Sequence, residues 1–329
     1  HYANGRITWE ISIEPGQTWH ACGFYSLEYD GERHLPAEAC HDRLGDTLPD
    51  HALRRWLADT TTLLSSNDDV QRLYRQSVED LNAVALEQRG GPRRAWVPAA
   101  GVPWYVTIFG RDTLITSMQT MMAHPGMAYG TLDVLAEYQA KVQDDWRDAE
   151  PGKILHEIRF GELAHFKRIP HTPYYGTADA TALYLIVLHE TWKWTGDNDL
   201  LHRYRETAEQ CLRWIDESGD FDGDGFQEYR TRSNQGYENV GWKDGMDSVI
   251  YPDGTPVAQP KALCELQSYV FDAWMRMAEV FEARCLDRHF GTAVFATPGL
   301  HLRPSHVRHE LHAVAHAEYR HAQVEHGGI

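Results

Sequence analysis

From about residue 50 onward the apolar residues recur at helical spacing, and this period constrains the fold more than any other feature of the chain. Residues 67 to 88 carry Val70, Leu73, Val78 and Leu81 near one face, with Asn67 placed to cap the first turn. Gly90-Gly91-Pro92 breaks that run. A short apolar segment (AWVPAAGVPWYVTIFG) then leads into a helix at Asp112. Helices are predicted over about 112 to 123 and 127 to 142. Residues 178 to 195 align Ala180, Leu183, Val187, Thr191 and Trp194. Residues 198 to 216 align Leu201, Tyr204, Ala208, Cys211 and Ile215, and residues 260 to 283 align Leu263, Leu266, Val270, Trp274, Met277 and Phe281. Helix pairs joined alternately by short turns and long loops fit a mainly α fold of the α/α toroid kind. A helical repeat array is disfavoured, because the linking loops differ in length and share no motif.

The first residues have a different period. Ile7, Trp9, Ile11 and Ile13 face one way and Thr8, Glu10 and Ser12 the other, as in a half-buried strand. Residues 19 to 29 read as a second strand after the Pro15-Gly16 turn. Two strands are not a stable module, so the pair is read as the tail of a β-sandwich domain, with an N-terminal portion missing before His1. The expected organisation is therefore a β-sandwich hairpin over 1–35, a helical linker over 36–94, the first half of a helical barrel over 95–285, and an atypical His-rich tail over 286–329. That tail holds His289, His301, His306, His309, His312, His316, His321 and His326. His312 and His316 have the i, i+4 spacing of a metal pair on a helix, but no third ligand is fixed by spacing, and no metal or other cofactor is expected.

A net charge of −17 argues against nucleic-acid or anionic-membrane partners and suits a neutral or cationic ligand. Eleven Trp and sixteen Tyr are many for 329 residues; aromatic faces stack on sugar rings, although core packing would use them equally well. Cys22, Cys40, Cys211, Cys264 and Cys285 are scattered and odd in number, which points to a reducing cytoplasm rather than a disulfide framework. No stretch has the length and apolarity of a membrane span, and no signal peptide is visible.

Four segments carry groups suited to chemistry. In Phe109-Gly110-Arg111-Asp112, a guanidinium that donates stands beside a carboxylate that accepts, a pairing able to clamp sugar hydroxyls, with Trp104 and Tyr105 just upstream. The plain alternative is a helix-capping aspartate beside a surface arginine. His171-Thr172-Pro173-Tyr174-Tyr175-Gly176-Thr177-Ala178-Asp179 is a polar and aromatic loop before an amphipathic helix, either a sugar-facing rim or a packed loop in which Thr177 or Asp179 caps the helix. In Asn239-Val240-Gly241-Trp242-Lys243-Asp244-Gly245-Met246-Asp247-Ser248, an indole precedes two carboxylates. A general acid must hold its proton near neutral pH, and burial beside an aromatic ring or a second carboxylate favours that, whereas Lys243 opposes it. Asp244 is the first choice for the acid and Asp247 the second; the alternative is a solvated Asp-Gly turn. Asp220-Phe221-Asp222-Gly223-Asp224-Gly225 resembles a calcium loop, but Thr231 stands where a bidentate Glu is required, so a tight acidic turn is the better reading. The His156-Glu157 pair is weak in isolation. No HExxH, GxSxG, Walker or GxGxxG pattern is present.

Taken in order, PWYVTIFGRDTLIT, WRDAEPGKILHEIR, IPHTPYYGTADAT, GDFDGDGFQEY and GWKDGMDS closely resemble bacterial amylo-α-1,6-glucosidase (glycogen-debranching) proteins, and more distantly glucoamylases and trehalases. The likeness spans about residues 95 to 283. It implies the tail of a β-sandwich followed by an (α/α)6 barrel, and inverting hydrolysis of α-glucosidic bonds in an α-glucan. By that likeness Arg111 and Asp112 bind the innermost sugar and Asp244 donates the proton. Trp104, Tyr174, Tyr175, Trp242 and Lys243 would line the pocket by position. A twelve-helix barrel needs roughly 350 residues. The base that activates water lies in the family's second half, and no motif here supplies it. Inversion needs that carboxylate about 6.5–9.5 Å from the acid, so the chain alone is expected to be inactive or nearly so. The alternatives are a sugar-binding or truncated inactive fragment, or another (α/α) carbohydrate enzyme such as a trehalase or a phosphorylase.

Overall fold

The computed structural model describes residues 2–34 apart from Phe24 and Asp30, residues 48–88 and residues 95–286. The His-rich tail and its His312/His316 pair lie outside the described residues. The chain divides into two compact units at Thr60/Thr61, so the segment expected as a helical linker is shared between them.

In the first unit, β1 (Tyr2–Ala3) pairs antiparallel with β2 (Arg6–Ile7), and β3 (Leu27–Tyr29) with β4 (Glu32–His34). The helix α1 (Leu48–Asp59) follows. The strand expected over 7 to 13 is corrected here: pairing stops at Ile7, and Ile7, Trp9, Ile11 and Ile13 are all exposed. Alternation creates a potential apolar face, but a face is buried only where a second layer covers it. The indoles of Trp9 and Trp19 pack edge to face, 5.9 Å apart. Cys22 is disulfide-bonded, which departs from the all-thiol expectation; Cys211 and Cys264 are free.

The second unit is mainly helical. α2 (Asp68–Ala83) starts where expected, because Asn67 Oδ1 accepts the backbone N–H groups of Asp69 and Val70. It ends earlier than its periodicity predicts. Residues 85 to 88 leave the helix as β5 (Ala85–Gln88) and pair with β6 (Ala95–Pro98), placing Leu86 opposite the buried Val97. That hairpin was hidden because its partner strand lies beyond the Gly-Gly-Pro break. α3 (Gly110–Gln119), α4 (Gly126–Glu137), the single turn α5 (Glu162–His165), α6 (Ala180–Thr195), α7 (Asn198–Arg203), α8 (Arg205–Ser218) and α9 (Cys264–Leu286) complete the element order. The helix predicted over 198 to 216 is thus two, divided at Tyr204, whose hydroxyl donates to Asp133 at 2.5 Å.

α6 organises this unit. Ala180 to His189 are buried without exception, as in a helix surrounded on all sides, and α6 packs against α3, α4, α8 and α9. α9 adds Leu266, Val270, Ala273 and Met277 to the same apolar core, and toward the C-terminal end of α6 the contact turns polar: His189 Nε2 meets Glu279 at 2.8 Å, Lys193 donates to Glu279 at 2.6 Å, and Arg276 pairs with Glu190. Among the described residues no helix is long and apolar enough to cross a membrane.

Candidate functional site at the start of α3

Three irregular segments run alongside one another at the N-terminal end of α3. Gly110 N–H donates to the His156 carbonyl at 2.7 Å, Ile158 N–H to Ile108 at 3.2 Å, and Tyr174 N–H to Glu157 at 2.9 Å. Gly110 must be glycine at this crossing. A Cβ there would stand 2.1 Å from the Leu155 carbonyl oxygen and 3.0 Å from Ala180 Cβ. Ala178 N–H then donates to Val240 O at 2.7 Å, which brings in the stretch that carries the two candidate acids.

Arg111 ties these segments together. Its Nη1 donates to Asp179 Oδ2 at 2.8 Å and to Gly241 O at 2.9 Å, and its Nη2 donates to Asp244 Oδ2 at 2.9 Å. The two terminal nitrogens of a guanidinium span three separated acceptors in this way; the three donors of an ammonium all sit on one nitrogen. The Arg111 side chain is 7% exposed and that of Asp179 2%, whereas Asp244 is 47% exposed. One side of the cluster is therefore interior and the other opens to solvent. Burial works to lower the Arg111 pKa, but Asp179 and Asp244 outweigh it and raise it. Asp112, half-buried in the first turn of α3, is pushed up by burial against the pull of Arg111.

Asp179 stands at the start of α6 but makes no capping bond. Its Oδ1 accepts from the Thr177 hydroxyl at 2.6 Å and its Oδ2 from Arg111. From sequence it looked like a cap, and its partner 68 residues away was invisible. The remaining expected residues separate into two groups. Trp242, Lys243 and Asp247 are exposed on the same turn as Asp244. Trp104 is exposed on a turn closed by Gly101 and Tyr105, its carbonyl accepting from Arg159 at 2.8 Å. Among the described residues no hydrogen bond or ring contact joins its indole to the Arg111 cluster. Tyr174 and Tyr175 were expected to line a pocket but are interior. Tyr174 donates to Asp148 at 2.8 Å and Tyr175 to the Tyr138 carbonyl at 2.6 Å, so both serve as packed supports.

Behind the crossing lies a polar aromatic cluster that the sequence barely signalled. The Glu157 side chain is buried and accepts from Tyr237 Oη at 2.7 Å, His171 Nε2 at 3.0 Å and Arg159 Nε at 2.6 Å. Burial alone would raise its pKa; the hydrogen bonds from His171 and Tyr237 outweigh that and hold it at about 2. His156, fully enclosed between Phe109, Tyr174 and Tyr237, is driven down to about 3, chiefly by burial and then by the Arg111 charge.

The acidic turn after α8 folds onto its own backbone. Asp220 accepts the N–H groups of Gly223, Asp224 and Gly225, and Asp222 accepts that of Asp224. Asp220, Asp222 and Asp224 can bring one oxygen each within 4.8 Å of one another. Thr231, at the position a calcium loop would give to Glu, donates to the Tyr237 carbonyl.

Compared with known proteins, the chain is matched by no protein-family model and by no curated protein.

Proposed function

We propose that this chain is a glycoside hydrolase acting on α-glucosidic bonds, of the amylo-α-1,6-glucosidase type, with an α-glucan as substrate and an inverting mechanism on a helical toroid. The observation that carries this reading is the hydrogen bond from Arg111 to Asp244. It joins two motifs 133 residues apart into one acceptor and donor array with a solvent-facing carboxylate beside Trp242. Such an array suits neutral hydroxyl groups, each of which both donates and accepts.

Within this reading the two acidic residues of the turn divide the work. Asp244 Oδ2 already accepts from Arg111, so Asp244 is suited to orient a sugar hydroxyl. Asp247, the second choice from sequence, stands on the same turn with no cation paired to it among the described residues, and it is assigned in place of Asp244 to donate the proton to the departing oxygen. Arg111 and Asp112 orient the innermost sugar. The test is to titrate isomaltotriose calorimetrically into the chain and to follow glucose release and its anomeric form by NMR. No residue here is assigned as the base, so turnover by the chain is expected to be slight at most; Asp247→Asn is expected to abolish what there is and keep binding, while Asp244→Asn weakens binding by about 10-fold or more. Absence of both binding and turnover would remove the glycosidase reading.

One observation favours a second reading, sugar binding without hydrolysis. The Arg111 contact that suits Asp244 to binding leaves the described part of the cluster with a single exposed carboxylate held in place. Binding with no turnover, unaffected by Asp247→Asn, would select it.

A further inference from the structure

We propose that Asn239 and Lys261 form a buried clamp that sets the position of the Asp244–Asp247 turn; this rests on the carbohydrate-site reading above. Asn239 is fully buried, and its side-chain amide works in two directions at once. Its Nδ2 donates to the Gly245 carbonyl at 2.6 Å and lies 3.3 Å from the Met246 carbonyl. Its Oδ1 accepts from Lys261 Nζ at 2.6 Å and from the Tyr229 hydroxyl at 3.4 Å. Chemistry fixes the orientation of the amide. An ammonium only donates and a carbonyl only accepts, so the oxygen must face Lys261 and the nitrogen must face the turn.

The geometry gives the clamp its purpose. Gly245 and Met246 are the two residues between Asp244 and Asp247, so holding their carbonyls fixes the backbone from which both carboxylates project. Met246 itself is 82% exposed and anchors nothing through its side chain. Arg111 holds the same stretch at two further points, Gly241 O and Asp244 Oδ2.

Lys261 is in turn buried and held at both ends. Its side chain is 2% exposed, its ammonium also pairs with Glu238 Oε1 at 3.1 Å, and its backbone exchanges both hydrogen bonds with Tyr229 at 3.1 and 3.0 Å. A buried ammonium is retained only where acceptors surround it, and here one of those acceptors is the amide that holds the turn.

The isosteric substitution Asn239→Asp separates holding the turn from filling the space. It keeps the shape and the acceptor facing Lys261, but replaces the donor facing Gly245 and Met246 with a second acceptor. Native-state cleavage within residues 241–248 by a non-specific protease, mapped by mass spectrometry on the full chain, is expected to speed up roughly 10- to 100-fold while hydrogen exchange in α6 stays as in the wild type. Lys261→Arg is expected to restore most of the protection lost in Lys261→Met, because it keeps a charged donor. Binding of the cationic iminosugar 1-deoxynojirimycin, which needs placed carboxylates, is expected to weaken by about 10-fold or more in Asn239→Asp. Unchanged cleavage within 241–248 in Asn239→Asp overturns the clamp. Unfolding of Asn239→Asp would pass the decision to the Lys261 pair, where equal loss of protection in both variants overturns it. Faster cleavage in a protein whose wild type does not bind the iminosugar keeps the clamp and discards the carbohydrate reading instead.

Discussion

His156 and Glu157 are neighbours in sequence, and the fold gives them opposite charge states. His156 is neutral because its surroundings offer no water and Arg111 is near; Glu157 is anionic because three donors converge on it. Both folded-state pKa values lie below the ordinary ones, from 6.5 to about 3 and from 4.5 to about 2. In each case the unfolded chain takes up the proton first, so stability is full above the ordinary value and is lost as pH falls toward the folded one. The loss therefore begins below pH 6.5 through His156 and steepens below 4.5 through Glu157, whose share is on the order of 3 kcal/mol. Urea midpoints measured at successive pH values should show both stages. His156→Phe should flatten the first stage and leave the second, and an unchanged profile would contradict the assignment. In the sequence this pair was only a weak His-Glu dipeptide. Its partners, Tyr237 and His171, lie 80 and 14 residues away, and no local pattern announces a buried carboxylate that is satisfied by distant donors.

Helix α3 shows how one position governs an element. Gly110 is its first residue, and the Leu155 carbonyl passes so close that a methyl group has no room. Gly110→Ala must push α3 off the crossing and is expected to cost about 3 kcal/mol or more in thermal or chemical denaturation. Asn67→Ala, at the start of α2, removes only a cap and is expected to cost about 1 kcal/mol. A near-neutral Gly110→Ala would mean that the close approach does not constrain the helix. The contrast also marks what was legible. Caps and stripes are local, so α2 could be started correctly from Asn67, and α8 could be traced from Ala208, Cys211 and Ile215. The β5–β6 pairing joins strands on either side of the Gly-Gly-Pro break, and the break at Tyr204 and the diversion of Asp179 from capping to Arg111 are long-range outcomes. There tertiary partners overrode a local preference. For the site, the two motifs carrying Arg111 and Asp244 stood out by composition. Asn239 and Lys261, which hold the turn, did not, since a single Asn and a single Lys look like any loop residues.

At the scale of the whole chain, order is distributed unevenly. Each residue from 4 to 33 whose burial is described is exposed, whereas α6 is enclosed along ten consecutive residues, Ala180 to His189. Amide exchange should reflect this: near free-chain rates over residues 8–23, and exchange in α6 only through global unfolding. Strong protection over residues 8–23 would contradict the exposure found there. The Arg111 cluster adds a consequence for biosynthesis. A guanidinium enclosed without its acceptors is costly, and two of the three acceptors here belong to residues 241 and 244. During translation the first turn of α3 therefore cannot settle when α3 emerges from the ribosome. It must wait, still hydrated, until some 130 further residues have been synthesised, so a nascent chain arrested before Asp244 should leave that corner open to proteases and chaperones.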